Sequence, residues 1–288
     1  MAALGLGTTL HIAVRDLRSP NKLNETNSVL ELVMNDITIR RPIQWVSSSA
    51  TNVGTVRSVN EDAVLERPEI GLWAVGDGMG GHDAGNVASR MIVETLAELQ
   101  KPEGLNNYVV GIEDAILDAN QRLLEYSEIV LDGRIVGSTF VGLLIYGQVG
   151  VCLWMGDSRL YRSRGQEFTQ ISRDHSQVSE LLQSGAITEE EAINHPDSNV
   201  ITRAVGTSEE PYLDLEVFDV QIGDTFLLCS DGLYNAVDKE DIIQHLRLND
   251  TAVMATGLID SALENGASDN VSVVVIKGLR HPKQKDVA

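Results

Sequence analysis

The spacing of apolar positions changes period several times along the chain. GLWAVG (71–76) is a short β-rich run that stops at Asp77. After a cluster of glycines, GNVASRMIVETLAELQ sets Val87, Met91, Ile92 and Leu96 at helical spacing, and NYVVGIEDAILDANQRLLEYS (107–127) predicts a second helix. The period then shortens. STFVGLLIYG, QVGVCLWMGDS and RLYRSRGQEFTQIS follow with only a few Gly or polar residues between them. Parallel neighbours need a crossover of about a dozen residues, so these three runs predict an antiparallel meander. SQVSELLQSG and TEEEAINH read as short helices, the second opening on a Thr188/Glu191 capping box. DTFLLCS (224–230) predicts a strand and DTAVMATGLIDSALENG (250–266) a helix closed by a Gly. VSVVVIKG (271–278) is apolar at nearly every position, as a strand covered on both faces would be.

Residues 1–44 have a different texture. LHIAVRD and SVLELVMNDITIRR are mildly apolar and flank the polar stretch RSPNKLNETN, so a poorly ordered extension and an extra edge strand both stay open. One domain is expected over 45–280, followed by the polar tail HPKQKDVA (281–288). There is no internal repeat and no low-complexity segment. Strands come in antiparallel blocks with helical pairs before and after. The class is α+β, with helices over antiparallel sheet, and not the βαβαβ alternation of a dinucleotide-binding domain.

Composition narrows the partners. With 288 residues, 43% apolar and 22% charged, the chain is an ordinary soluble mixture long enough for a sizeable core. Its net charge of −20 repels phosphate backbones and anionic lipid, so neither nucleic acid nor a membrane surface is expected. Cys152 and Cys229 lie in apolar runs without a CxxC or Cys/His neighbour, which reads as core packing in a reduced compartment. No basic segment precedes the first apolar residues, and no stretch approaches ~18 apolar residues. A cytoplasmic protein is expected.

The loop AVGDGMGGHDAGN (74–86) poses the chemical question. Gly76, Gly78 and Gly81 spell G-x-G-x-x-G, yet Asp77 and Asp83 would repel a pyrophosphate. Aspartates recur at strand ends beside small residues: Asp77 in G-D-G, Asp157 in G-D-S, Asp231 in S-D-G, Asp269 in S-D-N. Any one of them suits a turn. Together they fit a shared edge where strand ends converge, and crowded carboxylates are unfavourable unless something positive sits among them. Oxygen donors without a His/Cys cluster indicate Mg²⁺ or Mn²⁺ rather than zinc. Arg57 stands four and five residues before Glu61 and Asp62, where it is either a surface ion pair or a forked cation suited to a phosphate.

The motifs R-x-x-N-E-D, G-D-G-M-G-G, G-S-T, G-D-S-R, R-D-H-S, S-D-G-L and S-D-N-V-S-V occur in this order between about Val46 and Lys277. Each is weak alone. As an ordered set they resemble the metal-dependent protein phosphatase family (PPM, the type 2C Ser/Thr phosphatases) in its bacterial form. The resemblance implies a β-sandwich of two antiparallel sheets flanked by helices on both faces, a four-layer αββα fold. It implies hydrolysis of phosphoserine and phosphothreonine by water activated between two Mn²⁺ or Mg²⁺ ions, with no phosphoenzyme. Asp77 would bridge the ions, the Gly78 carbonyl, Asp231 and Asp269 would complete the site, and Glu61 and Asp62 would act through water. Arg57 would bind the substrate phosphate. Asp157 and Asp231 would hold a weaker third ion, and Ser172–Thr207 would form a mobile flap. The glycines then let a carboxylate and a carbonyl face a cation, and the dinucleotide match is accidental.

One position departs from the eukaryotic pattern. Those relatives carry a His, assigned as the leaving-group acid, where this chain has Met79. A water on the metal is the preferred donor, with His82, His175 and His195 as alternatives that each read more simply as structural or surface residues. The implied partners are phosphorylated proteins, a bacterial Ser/Thr kinase and its targets, and a monomer is expected. The rival reading is a non-catalytic phosphoprotein-binding module of the same fold, which would need missing ligands.

Overall fold

The computed structural model describes residues 10–13, 43–81, 84–192, 195–197 and 200–280. In chain order these form β1 (Leu10–Ala13), β2 (Ile43–Asn52), β3 (Asp62–Arg67), β4 (Leu72–Met79), α1 (Ala84–Ala97) and α2 (Leu105–Val130). Next come β5 (Gly137–Ser138), β6 (Phe140–Tyr146), β7 (Val149–Met155), β8 (Arg159–Arg164), β9 (Glu167–Gln170), α3 (Gln177–Gln183) and α4 (Glu189–Ala192). The last third holds β10 (Asp214–Asp219), β11 (Thr225–Cys229), α5 (Asp231–Ala236), α6 (Lys239–Leu246), α7 (Thr251–Glu264) and β12 (Val271–Arg280).

The strands make two antiparallel sheets. One is ordered β1-β10-β7-β6-β4-β3 with β5 beside β4, and the other β2-β12-β11-β8-β9. Strand alternation sorts the apolar side chains into three layers. Trp73 and Val75 of β4, Cys152 and Trp154 of β7, Phe226 and Leu228 of β11, and Val274 and Ile276 of β12 meet between the sheets. The intervening residues face outward. Leu72, Ala74, Val151 and Leu153 pack under α1 and α2, while Leu227, Cys229, Val273 and Val275 pack under α5, α6 and α7. This is the αββα arrangement. β12 lies between β2 and β11 and is covered on both faces, which is why it carries no clean polar alternation. Both cysteines are buried free thiols. Among the described residues, no helix is long and apolar enough to cross a membrane.

The capping box at α4 is present: Glu191 N–H donates to Thr188 Oγ1 (3.3 Å) and Thr188 N–H to Glu191 Oε2 (2.8 Å). The three-run meander is not. β6 and β7 pair as a hairpin, but the third run splits into β8 and β9 and belongs to the opposite sheet, where β8 pairs with β11. Gly156, at φ +114°, turns the chain from one sheet to the other. Hydrophobic period locates strands but carries no information about which sheet a strand joins. The segment 10–13 forms a strand on the edge beside β10. β2, β10 and α6 carry mixed polar and apolar residues and have no counterpart in the sequence reading.

Arg164, at the end of β8, ties the two sheets. Its Nε and Nη2 donate to the two carboxylate oxygens of Asp224 at 2.7 Å each, and Nη1 to Asp219 Oδ2 at 3.0 Å. Asp219 ends β10 in the other sheet, and the Asp224 side chain has no solvent exposure. Removing one partner of a buried pair leaves an uncompensated charge. Arg164→Ala is therefore expected to destabilise the fold by about 3–5 kcal/mol. The measurement is a urea midpoint at unchanged m-value; a loss below about 1 kcal/mol would assign the pair to the weak surface class.

Candidate metal centre

Four segments bring the aspartates together, two from each sheet. Asp62 opens β3 and stands directly opposite Asp77 on β4. Asp231 opens α5 immediately after β11, and Asp269 lies just before β12. Like charges directly opposite one another in a sheet are unfavourable, so the 62/77 register is a local cost retained at this one edge. Asp157 joins from the Gly156 turn between the sheets.

Backbone bonding fixes each position. Asp77 N–H donates to Thr139 Oγ1 (3.0 Å), and Thr139 N–H returns a bond to the Asp77 carbonyl (2.8 Å). Gly78 N–H donates to the Glu61 carbonyl at 3.1 Å. A Cβ at Gly78 would stand 2.0 Å from the Gly85 carbonyl oxygen, so only glycine lets β4 pass the start of α1 here. The Glu61 carboxylate accepts the Gly85 N–H at 3.1 Å, at that same helix end. Asn270 organises the opposite wall: its Oδ1 accepts Glu61 N–H (2.8 Å) and its Nδ2 donates to the Val53 and Val59 carbonyls (2.9 and 3.0 Å). That holds the loop bearing Arg57.

Asp62 is buried between two serines. Ser230 Oγ donates to Asp62 Oδ2 at 2.8 Å and itself accepts Ser272 N–H at 2.9 Å, while Asp62 Oδ1 is buried without a partner. Burial pushes the Asp62 carboxyl up to about 7, the nearby Ser272 and Ser230 hydroxyls pull it back, and Asp231 and Asp269 push it further up. Burial likewise raises Asp157 to about 7, with Asp231 and Asp174 adding to it. Asp231 rises to about 6 through burial and then Asp269, and it lies within hydrogen-bonding reach of Asp77. Asp77 is held well above the ordinary range by burial and then by the charges of Asp62, Asp231, Asp157 and Asp269. Asp77 and Asp231 keep some access to solvent, but protein atoms surround them on most sides, so lost hydration still dominates. These groups shift together because they share one depression.

Cations are scarce around this cluster. Arg57, with a side chain 55% exposed, donates Nη2 to Asp269 Oδ2 at 2.7 Å and feels the charges of Glu61 and Asp231. Arg159 does not pair with Asp157. It forks onto Asp174 (Nη2 to Oδ2 2.6 Å) and lies 3.5 Å from the centroid of the Tyr234 ring. Among the described residues, no three His, Cys, Asp or Glu side chains form a closed coordination sphere. Asp269 is turned onto Arg57. The donor set nevertheless fits a hard divalent cation: every acidic group is an oxygen donor, one buried oxygen lacks a partner, and the cluster is unfavourable without positive charge.

Of the histidines, His175 is buried in bonds to Gly156 and Asp214, and His195 Nδ1 accepts Asp197 N–H at 3.2 Å. His82 and Asp83 lie outside the described residues. Thr139, Ser230 and Ser272 lie inside the quoted motifs without a role assigned to them, and Asn235, whose Nδ2 donates to Asp231 Oδ2 at 3.2 Å, lies outside those motifs. Ser272 had a signal: it is the single hydroxyl in an otherwise apolar strand, on the face that also bears Val274 and Ile276.

Comparison with known proteins gives the family. The family model described as protein phosphatase 2C matches residues 55–258. The Ser/Thr protein phosphatase PstP of Mycobacterium tuberculosis is 39% identical over 223 residues, 77% of this chain, which in turn spans only 43% of that longer relative. The Ser/Thr phosphatase stp of Listeria monocytogenes is 34% identical over 246 residues, covering 83% of this chain and 98% of its own length. Among solved structures, PppA of Pseudomonas aeruginosa, a regulatory component of T6SS, superposes with a TM-score of 0.76 at 41% identity over 83% of this chain and all of that one. The PstP catalytic domain in complex with two manganese ions does so with a TM-score of 0.74 at 34% identity, covering 82% and 99% of the two chains. With the sandwich, the carboxylate edge and the ordered motifs in agreement, the chain belongs to the protein phosphatase 2C (PPM) family of Ser/Thr phosphatases, in its bacterial form.

Proposed function

We propose that the chain hydrolyses phosphoserine and phosphothreonine esters of proteins at the carboxylate edge, with Asp77, the Gly78 carbonyl, Asp231 and Asp269 holding two Mn²⁺ or Mg²⁺ ions. One observation carries this reading: Asp62, Asp77, Asp157 and Asp231, drawn from both sheets, are held above the ordinary carboxylate range in a single depression beside Asp269, where Asp62 Oδ1 lacks a partner. The relative solved with two manganese ions supports the choice of metal. When bound, such ions act as Lewis acids that acidify water and offset charge on the phosphoryl oxygens.

The chain's own residues supply position and charge. Thr139 and Gly78 set the Asp77 backbone, and Ser230 sets Asp62. Glu61 and Asp62 would act on the ions through water. Arg57 spends one donor on Asp269 and keeps the remainder of its fork for the phosphate. Met79 has no proton to give and His175 is buried, so water in the site protonates the leaving oxygen. Asp157 and Asp231 together hold a weaker third ion. No aspartate of the set is missing, which leaves the non-catalytic reading without support. Phosphorylated proteins, including a Ser/Thr kinase and its targets, are the proposed substrates, in keeping with relatives named Ser/Thr phosphatases.

Asp77→Asn and Asp231→Asn are each expected to lower kcat by about 100-fold or more at saturating Mn²⁺. EDTA should abolish turnover of a phosphopeptide and added Mn²⁺ restore it. Activity near wild type in either variant would mean that the ligand set is wrong. Arg57→Ala acts on substrate rather than metal, so KM should rise with the Mn²⁺ dependence unchanged. An altered Mn²⁺ dependence at normal KM would exclude the phosphate role.

The pH dependence of the chelated protein tests the cluster without catalysis. Asp62 at about 7 and Asp231 at about 6 lie above their ordinary value of 3.8, so the folded state holds protons that the unfolded state has lost. Stability should therefore fall as pH rises from about 4 toward 7 and level off above. Saturating Mn²⁺ should offset the loss at the upper end, because binding displaces those protons. A chelated melting temperature that rises over this window contradicts the crowded site.

Asp157→Ala should keep two tight ions by calorimetry and lose kcat. The loss should be larger on a phosphopeptide than on an activated aryl phosphate, whose leaving group needs less protonation. Unchanged kcat on the phosphopeptide would return Asp157 to a turn role.

A further inference from the structure

His175 stands outside the chemistry above, yet every atom that could bond is engaged. Its Nδ1 accepts the Gly156 N–H at 3.1 Å. A peptide N–H can only donate, so Nδ1 is bare and the neutral ring carries its proton on Nε2. Nε2 lies 3.1 Å from Asp214 Oδ2, which receives that proton's hydrogen bond. Arg203 Nη1 is 3.4 Å from Nε2 and cannot donate to a protonated nitrogen; it faces Asp214 Oδ1 at 3.5 Å instead. Trp154 stacks on the ring at 6.1 Å between centroids.

The main chain repeats the clamp. His175 N–H donates to the Gly156 carbonyl at 2.9 Å, and Thr202 N–H donates to the His175 carbonyl at 2.8 Å. The second bond joins the two ends of the 172–207 segment at His175 itself. From the other side Gly156 abuts Thr139, where a Cβ would stand 2.7 Å from Thr139 Cβ, and Thr139 also holds Asp77. The turn that carries Asp157 is thus gripped between the dinuclear side and the base of the segment.

We propose that His175, locked as its Nε2–H tautomer by Asp214, is a positioning residue that aims Asp157 at the weaker third ion and couples that ion's binding to the base of the 172–207 segment. The inference rests on the reading of Asp157 given above. Partners that orient a metal ligand from behind commonly change metal affinity by about 10–100-fold when lost.

The experiment combines ¹⁵N spectra of the imidazoles in chelated protein with Mn²⁺ calorimetry. The proteins are wild type, Asp214→Asn, His175→Asn and His175→Ala, with the His175 signals identified by their absence from the His175→Asn spectrum. An amide at 214 can donate to Nε2, which moves the ring proton to Nδ1 against the Gly156 N–H. Wild type should show a bare Nδ1, and Asp214→Asn a protonated one with the third ion bound at least about tenfold more weakly. The two tighter ions should be unaffected. His175→Asn keeps an acceptor near the Nδ1 position and should hold the third ion better than His175→Ala. A protonated Nδ1 in wild type overturns the inference, as does wild-type binding of the third ion in both Asp214→Asn and His175→Ala. Should Asp214→Asn unfold, the two His175 variants decide the matter. Wild-type protein that binds only two ions overturns the third-ion reading, and the inference with it, whatever the tautomer.

Discussion

Mutual repulsion among partly dehydrated carboxylates is the constraint around which this fold is arranged. Asp62 and Asp77 face each other across a strand pair, and Asp157, Asp231 and Asp269 add their charges from three other chain segments. Left to itself such a cluster would open toward water. It is kept closed because each member hangs from a rigid element: Asp77 from a strand paired on both sides, Asp62 from the serines below it, and Asp231 from the first turn of α5. A cation placed there converts the strain into affinity. The same geometry that costs stability in the bare protein suits the hard, doubly charged ions proposed for the site.

The rigidity comes from the three-layer division of apolar side chains. Large residues fill the space between the sheets, with Trp73, Trp154 and Phe226 fully buried, so the strand ends cannot shift independently. Arg164 adds a charged tie where β8 and β10 leave the apolar layer. Small residues appear where the chain must come close to itself. Gly78 passes α1 with no room for a side chain, and Gly156 turns from one sheet into the other against Thr139. Both glycines neighbour a proposed metal ligand, so tight backbone packing and ligand placement are the same feature seen twice.

Much of this was legible in the sequence, for physical reasons that differ between residues. Strands buried on both faces announce themselves as apolar runs, so β4, β6, β7, β11 and β12 could be read directly, and long amphipathic helices likewise. β10, one strand in from the edge, mixes charge with apolar residues and leaves no clean period. Sheet membership was not legible: the run after Gly156 looks like a third meander strand and in fact crosses the sandwich. Within the site, the aspartates were found because each sits beside small residues at a strand end. The serines, Thr139 and Asn270 stood in the same motifs with no role read for them, since a hydroxyl or amide acquires its role only from what lies opposite it in space.

A difference in anchoring follows from these contacts. Asp62, Asp77 and Asp231 are held by strands, by a helix start and by side chains reaching across the sandwich, and the 172–207 segment meets this side at Val205, which exchanges backbone bonds with Ser138 opposite Gly78. Asp157 is held otherwise: its turn is bonded on one face to Thr139 and on the other, through Gly156, to His175, where that segment begins and ends. A displacement at His175, where the segment leaves the turn, would bear first on Asp157. In the proposed assignment, the tight and weak metal sites therefore differ in what their ligands are fastened to, and the weaker one lies nearer the segment.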